Sequence, residues 1–191
     1  MAIKLIVGLG NPGKDYQAHR HNVGFWFCDA LVNLYVGAFK KESKFFGEVA
    51  KINLAGSDVW LLKPSTYVNE SGRSIQSIAK FYQIDANEIL VIHDELDLDP
   101  GTARIKFSGG HGGHNGLRDT IKAIDSNDFY RLRIGIGHPG DRSQVSDFVL
   151  NAPKKSEIEP LQNALTDSLQ VIELLVKGEV ESAMQTLHTQ G

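Results

Sequence analysis

The chain of 191 residues contains one cysteine, Cys28, so no disulfide bond can form within it. Its apolar runs, of which residues 23–28 are among the longest, are far too short to cross a bilayer. It contains no internal repeat, which excludes a repeat architecture. The N-terminal residues Met1–Leu5 lead into a strand-like segment without the apolar core and cleavage site of a secretory signal. We therefore expect a cytoplasmic protein with no membrane segment.

The composition is that of an ordinary globular protein, with 41% hydrophobic and 23% charged residues. The length fits one α/β domain, and we expect a single domain over residues 1–191. The net charge of −3 is uneven, because residues 101–142 hold seven Lys or Arg against four acidic residues, whereas residues 143–191 hold three against seven. By itself, this local basic excess is only a weak indication of nucleic-acid binding.

The apolar periodicity predicts an α/β fold. Residues 3–7 form a continuous apolar run before a glycine-rich turn, which is typical of a central strand buried on both faces. Further strands are predicted at residues 47–54, 58–62, 88–92, 102–107 and 131–136, and helices at residues 23–36, 71–82, 117–124 and within about 156–189. We expect a three-layer sandwich, with a twisted, mixed and mostly parallel sheet between helices on both faces.

Five polar segments interrupt the apolar pattern, and each has the composition expected at a strand end. They are residues 8–13, 20–22, 67–69, 93–95 and 110–116. Asparagine, histidine and aspartate in such turns suit acyl chemistry, because rigid strands position these groups and glycine lets the backbone approach a substrate. The sequence therefore predicts a ligand cleft beyond the strand ends.

The first polar segment, Gly8–Gly13, fits the G-x-G-x-x-G pattern of dinucleotide-binding loops, with Asp29 about 20 residues further on. A loop of that kind leads directly into a helix that binds pyrophosphate. Here a polar stretch separates the loop from the helix predicted to start at Val23. We instead expect the loop to present Asn11, whose side-chain amide can donate a hydrogen bond to a substrate oxygen.

His21 and Asp94 are the candidates for general-base chemistry. Asp94 follows the buried run Ile89–Ile92, so its carboxylate emerges where a strand end meets the cleft. A carboxylate there can orient an imidazole through its ring N–H and make it a stronger base. The order of the predicted strands pairs Asp94 with His21. The alternative is that Asn22 caps the following helix and His21 is an exposed loop residue.

A metal site is the main rival interpretation, because residues 93–114 are rich in possible ligands. These are His93, Asp94, Glu95, Asp97, Asp99, His111 and His114. No H-E-x-x-H motif is present, and the glycine-rich turn around the last two histidines lacks the rigid face that usually directs paired imidazoles. We therefore do not expect a metal ion at these residues.

Taken together, the polar segments resemble those of bacterial peptidyl-tRNA hydrolases over nearly the full length of the chain. The matching stretches are GLGNPG at 8–13, Tyr16 with RHNVG at 20–24, KPSTYVNESG at 63–72, HDELDLDPG at 93–101, GGHGGHNGLRD at 109–119 and RLRIGIGHPG at 131–140. Each stretch is a weak signal alone, but their number and order are highly specific. The resemblance implies a monomeric esterase, without metal or cofactor, that cleaves the bond between a peptide and the 3′-terminal ribose of a tRNA.

The resemblance also implies roles for individual residues. His21 is then the catalytic base and Asp94 its orienting carboxylate. Asn11, Asn69 and Asn115 are the amides that hold peptide backbone, water or the developing oxyanion.

The remaining implied roles concern substrate binding. Tyr16 and Tyr67 line the site for the peptide and the tRNA terminus, and a segment from about residue 141 to 150 acts as a lid over the cleft. Three residues of the basic segment contact tRNA phosphates: Arg104, Lys106 and Arg133.

This sequence departs from the usual pattern at Val68, where methionine is common, and at His19, where threonine or asparagine is common. Val68 gives the peptide site a shorter and stiffer wall. Two other functions share parts of the pattern, namely a metal-dependent aminopeptidase and a non-catalytic RNA-binding module. Aromatic residues do not alternate along any one strand as in single-strand RNA readers, which makes the binding module the weaker interpretation.

Overall fold

A seven-stranded mixed sheet lies at the centre of the computed structural model, which describes residues 2–189. In chain order its strands are β1 Leu5–Gly8, β2 Lys40–Glu42, β3 Gly47–Leu54, β4 Ser57–Pro64, β5 Ile89–Glu95, β6 Ala103–Phe107 and β7 Tyr130–Gly135. They lie in the order β2-β3-β4-β1-β5-β7-β6. Strands β4, β1, β5 and β7 pair in parallel, and β2, β3 and β6 pair antiparallel to their neighbours. The predicted mixed sheet is confirmed, with the apolar strand β1 in its middle.

Helices pack on both faces of this sheet, as the sequence predicts. They are α1 Val23–Leu34, α2 Ser71–Phe81, α3 Asn115–Ile124, α4 Val145–Val149, α5 Lys155–Val176 and α6 Val180–His188. One apolar cluster joins α1, α5 and α6 to the first face through residues that include Phe27 and Ile172. A second cluster joins α2 and α3 to the other face through residues that include Ile78 and Leu117. Within residues 2–189, no helix combines the length and apolar character that crossing a bilayer requires.

Several boundaries differ from the prediction, and three of the differences have a clear physical reason or consequence. Strand β2 was not predicted, because Lys40–Glu42 is a polar segment at the sheet edge with no buried residue. Strand β5 continues to Glu95, so Asp94 is the penultimate residue of the strand rather than lying beyond it. Helix α1 ends at Leu34, because Val36 adopts a left-handed conformation with φ 56°.

Helix α1 lies directly against the ends of β1 and β5 because Gly8 and Gly24 have no side chains. A Cβ atom on Gly24 would lie 2.5 Å from the carbonyl oxygen of Ile92 and 2.5 Å from the backbone nitrogen of Leu9. These two backbone groups are hydrogen-bonded to each other, since the Leu9 N–H donates to the Ile92 carbonyl at 3.0 Å. The close contact places the residues that precede α1 beside the last residues of β5.

We predict that Gly24→Ala lowers the free energy of unfolding by about 2–4 kcal/mol, because the added methyl group meets backbone atoms that cannot rotate away. Denaturation in urea measures this change. Gly110→Ala is the matched control, since its added Cβ has open space around it and should change the stability by less than about 1 kcal/mol. Equal effects of the two substitutions would contradict a tight contact at α1.

Candidate active site

The structure brings His21 and Asp94 together. The sequence analysis expected His21 at a strand end, but it lies in a 3-10 turn, Arg20–Asn22, immediately before α1. Because α1 packs against β5, this turn lies beside Asp94, which is 3% exposed. The Nδ1 atom of His21 lies 2.8 Å from Oδ2 of Asp94.

The second oxygen of the Asp94 carboxylate binds His114, whose Nε2 lies 2.7 Å from Oδ1. The other ring nitrogen of His114, Nδ1, accepts hydrogen bonds from the backbone N–H groups of Gly116 and Leu117 at the start of α3. Because Nδ1 is an acceptor, the proton of the neutral ring is on Nε2, which donates it to Asp94. His114 thus caps α3 with one nitrogen and fixes the carboxylate with the other.

His114 was predicted only as a possible metal ligand. Its hydrogen bonds to Asp94 and to the start of α3 were not predicted. The available signal was its place between a glycine-rich turn and the apolar helix predicted from Leu117. A polar residue at that place is typical of a helix N-cap. Histidine is not among the usual capping residues, and the sequence does not show that the ring also reaches Asp94.

The side chains of His21, Asp94 and His114 form a triad, which is joined by hydrogen bonds through the Asp94 carboxylate. Burial alone would raise the pKa of the Asp94 carboxyl, but the charge of a protonated His21 and the hydrogen bonds from His21 and His114 hold it well below its usual range. Burial alone would lower the pKa of His21, but the Asp94 charge and its hydrogen bond keep it above the ordinary value. With its Nδ1–H donated to Asp94, the neutral ring of His21 has a free lone pair on Nε2. It can therefore accept a proton from a water molecule.

The same three side chains, His21, Asp94 and His114, could in principle hold a metal ion, since their donor atoms lie within 4.8 Å of one another. The hydrogen bonds argue against this. A metal ion on Nε2 of His114 would force the ring proton onto Nδ1, where it would face two backbone N–H groups. The tautomer that caps α3 is therefore incompatible with metal binding at Nε2.

Asn11 is held rigidly by backbone and side-chain contacts. Its backbone N–H donates to Oδ1 of Asn22 and its carbonyl accepts from Nδ2 of Asn22, both at 2.9 Å. Its side-chain Oδ1 accepts from the Val68 N–H at 2.8 Å. Among the groups of residues 2–189, none accepts a hydrogen bond from Nδ2 of Asn11, so this N–H group is free to donate to a substrate. The sequence analysis considered Asn22 only as a helix cap, yet its side chain makes no cap bond.

The other two amides are exposed: Asn69 lies in the 3-10 turn Val68–Glu70 and Asn115 is the first residue of α3. Val68, which precedes one of them, is 3% exposed and lies against Gly116, which follows the other. Val68 is thus a buried residue between the Asn69 turn and the start of α3.

The two tyrosines predicted for the substrate site also meet. The rings of Tyr16 and Tyr67 pack edge to face with centroids 5.9 Å apart, and Tyr67 is 53% exposed. His19, the other unusual residue, packs edge to face on Tyr16. The aromatic pair therefore offers an accessible apolar surface beside the loop that carries Asn11.

The predicted phosphate-binding residues lie on one face of the strand pair β6 and β7. Arg104 lies opposite Arg133 in the register, and Lys106 lies opposite Arg131, while the intervening residues are part of the core on the other face. Lys106 is exposed, whereas the Arg133 Nε donates to Oε1 of Glu95 at 2.9 Å. The charge of Arg133 is therefore partly offset, whereas no acidic group of residues 2–189 forms an ion pair with Lys106.

Arg131 has a different role from its basic neighbours. It is 1% exposed, and its guanidinium donates to the backbone carbonyls of Gly109, Gly110 and Asn127. It thereby fixes one end of the glycine-rich loop that leads to His114. The alternation of Arg131 with Leu132 predicts a strand here, but the sequence does not show that this arginine is buried.

The model of the family described as peptidyl-tRNA hydrolase matches residues 5–191 of the chain. The chain belongs to the peptidyl-tRNA hydrolase family. A peptidyl-tRNA hydrolase of Ruthia magnifica subsp. Calyptogena magnifica is 66% identical over 189 residues, which are 99% of each chain. One of Neisseria meningitidis serogroup A is 50% identical over 98% of this chain and 97% of its own. The crystal structure of peptidyl-tRNA hydrolase from Acinetobacter baumannii superposes with a TM-score of 0.95 at 48% identity, covering 97% of this chain and 94% of the other.

Membership of the peptidyl-tRNA hydrolase family confirms the resemblance predicted from the ordered motifs. The high TM-score confirms the predicted α/β architecture as well.

We predict that Asp94→Asn lowers kcat by roughly 10²- to 10⁴-fold, because an asparagine amide no longer fixes the ring tautomer of His21. The acidic limb of the pH profile of kcat/KM should also move to lower pH. A general base acts in its neutral form, and the pKa of His21 falls once the Asp94 charge that raises it is removed. Asp97→Asn makes the same change at an exposed position and should keep the parent profile. A parental rate and profile in Asp94→Asn would contradict the pairing.

Proposed function

We propose that this chain hydrolyses the ester bond between a peptide, or an N-blocked amino acid, and the 3′-terminal ribose of a tRNA, with a water molecule activated by His21. Membership of the peptidyl-tRNA hydrolase family supports hydrolysis of peptidyl-tRNA. The observation that carries the mechanism is the His21–Asp94 contact, which leaves Nε2 of His21 as a free base. The product is a free tRNA that can return to translation.

In this mechanism, Nε2 of His21 takes a proton from water as the water oxygen attacks the ester carbonyl carbon. The carbonyl oxygen becomes an oxyanion, which the free Nδ2–H group of Asn11 can stabilise. The intermediate then collapses, the bond to the ribose oxygen breaks, and the imidazolium returns its proton to that oxygen. An ester has a fair leaving group, so no covalent enzyme intermediate is needed. A positioned base contributes roughly 10²- to 10⁴-fold and one oxyanion donor roughly 10²- to 10³-fold.

The side chains around the acyl group favour a peptide over a free amino acid. Asn11, Asn69 and Asn115 offer amides, which both donate to carbonyls and accept from N–H groups. Asp94, the carboxylate of the site, is buried and already accepts from two imidazoles. A free α-ammonium group would find no anionic partner in this set, so we propose that aminoacyl-tRNA is a poor substrate.

The tRNA is proposed to bind along the basic face of β6 and β7 through Arg104, Lys106 and Arg133. Phosphate contacts of this kind recognise charge and shape, which suits an enzyme that accepts tRNAs of different sequence. The segment of residues 141–150 is proposed to cover the acyl site. We also propose that the protein acts as a monomer in the cytoplasm, where translation supplies its substrate.

We predict that the purified protein releases N-acetyl-amino acid from N-acetyl-aminoacyl-tRNA, that EDTA does not inhibit it, and that His21→Ala lowers the rate by roughly 10²- to 10⁴-fold. Aminoacyl-tRNA lacking the acetyl group should be cleaved much more slowly. Release of labelled amino acid measures all these rates, and the melting temperature of His21→Ala verifies that the variant is folded.

Three outcomes of this experiment would contradict the proposal. Loss of activity with EDTA would favour a metal-dependent hydrolase. Binding of tRNA without turnover would favour the non-catalytic RNA-binding module. Equal rates on acetylated and free aminoacyl-tRNA would contradict recognition of a blocked amino group.

We predict that Lys106→Gln weakens tRNA binding and reduces the slope of log K against log salt concentration by about 1, because one phosphate contact is lost. Arg133→Gln should reduce the slope by less, since Glu95 already offsets its charge. Lys51→Gln removes an exposed lysine from β3, four strands from β7, and serves as the matched control. Binding titrations with deacylated tRNA at several salt concentrations measure the slopes. A parental slope in Lys106→Gln would exclude this residue from the tRNA contact.

A further inference from the structure

Arg20 is a buried cation next to His21 that the mechanism above does not use. Its side chain is 5% exposed, and its Nη1 donates to the Phe148 carbonyl at 2.9 Å. The same Nη1 lies 3.5 Å from the Asn151 carbonyl, and Nη2 donates to Oε1 of Glu157 at 3.1 Å. The backbone N–H of Arg20 also donates to the Asn151 carbonyl at 2.9 Å. Both the main chain and the guanidinium of Arg20 therefore bind the segment of residues 148–157.

This segment contains the end of α4 and the start of α5. The Cζ atom of Arg20 lies 3.8 Å from the centre of the Phe148 ring, which adds a cation–π contact to the hydrogen bonds. Oε1 of Glu157 also accepts the backbone N–H of Lys154 at 2.8 Å. One carboxylate oxygen thus joins the first turn of α5 to Arg20.

Few apolar contacts hold the preceding residues in place. No residue from 141 to 150 is buried, and only the half-buried Phe148 and Val149 of this stretch pack against the core. A segment with so little buried apolar surface is expected to open at low free-energy cost. The contacts of Arg20 are therefore a large share of what keeps it docked.

The position of Arg20 in the chain couples this docking to the site. Arg20, His21 and Asn22 are the three residues of one 3-10 turn. The turn is fixed on its other side by the bond of His21 to Asp94 and by the bonds of Asn22 to Asn11. A movement of Arg20 moves the two peptide units that carry these side chains, and a misplacement of about 1 Å can lower a rate by about 10²-fold.

We propose that Arg20 is a positioning residue that ties the placement of His21 to the docking of residues 148–157, so that turnover depends on this segment being docked. The inference rests on the proposed role of His21 as the base. When the segment lifts, the guanidinium loses its carbonyl acceptors, the Glu157 carboxylate and the Phe148 ring together. The turn is then held from one side only, and the His21 ring is less well fixed against Asp94.

The test substitutes Glu157, the partner of Arg20, so that the sequence of the Arg20–Asn22 turn is unchanged. Glu157→Gln keeps an oxygen that can accept the Lys154 N–H but loses the charge that binds Arg20. We expect kcat on N-acetyl-aminoacyl-tRNA to fall about 10-fold while KM changes less than about 2-fold, because positioning affects the chemical step. Glu159→Gln makes the same change on an exposed side chain of α5 and should keep the parent kcat.

Substitutions of Arg20 complete a double-mutant cycle. Arg20→Met should lower kcat more than Arg20→Lys, which keeps a cation that can bind one acceptor. In the Arg20→Met background, Glu157→Gln should have less than about a 2-fold further effect, because the two side chains act through one contact. If Arg20→Met does not fold, the cycle is made with Arg20→Lys.

The pH profile separates positioning from a purely structural role. A looser His21–Asp94 bond lowers the pKa of His21, so the acidic limb of kcat should move to lower pH in Glu157→Gln and in Arg20→Lys. If both variants lose only melting temperature and keep the parental kcat and pH profile, while His21→Ala is inactive, the inference is wrong and the proposed function stands. If His21→Ala keeps the parental rate, the proposed function itself is wrong.

Discussion

The arrangement of the site depends on one buried charge, the carboxylate of Asp94. A buried carboxylate costs several kcal/mol unless it is paired and hydrogen-bonded. Here each oxygen accepts one imidazole N–H, at 2.8 Å from His21 and at 2.7 Å from His114. These residues come from the end of β5, the turn before α1 and the start of α3. Stabilising the charge therefore requires three separate elements to meet at one point.

Each of the two imidazoles is fixed by a further constraint on the backbone. His114 cannot turn without releasing the amides at the start of α3, and Arg131 holds the loop before it. His21 is carried by a turn whose approach to β5 depends on the absence of a side chain at Gly24. Next to these rings, burial lowers the pKa of His93 to about 3, so this residue adds no positive charge to the group. Rigid, pre-oriented polar groups of this kind are what stabilise a developing charge without reorganisation.

The sequence was informative where a local pattern has one structural solution. Apolar runs identified the central strands, and the polar residues at their ends indicated Asn11 after β1 and Asp94 at the end of β5. The edge strand β2 was missed because it is too polar for the apolar pattern. The roles of His114 and Arg20 were missed for a different reason. Each depends on which distant backbone groups the fold brings near, and the acceptors of Arg20 lie 128 to 137 residues further along the chain.

The two-residue period of the strands separates the His21–Asp94–His114 site from the basic face proposed to bind tRNA. Along β7, Leu132 and Ile134 face the core formed with α5 and α6, so Arg131 and Arg133 must face the other side. Within residues 2–189, the apolar cluster under α2 and α3 contains no residue of β6 or β7, so no helix packing competes with charge on this part of the sheet. The triad lies instead where β5 meets the start of α1 and α3. A change in the charge of the basic face can therefore alter the affinity for a polyanion without disturbing the hydrogen bonds that orient His21.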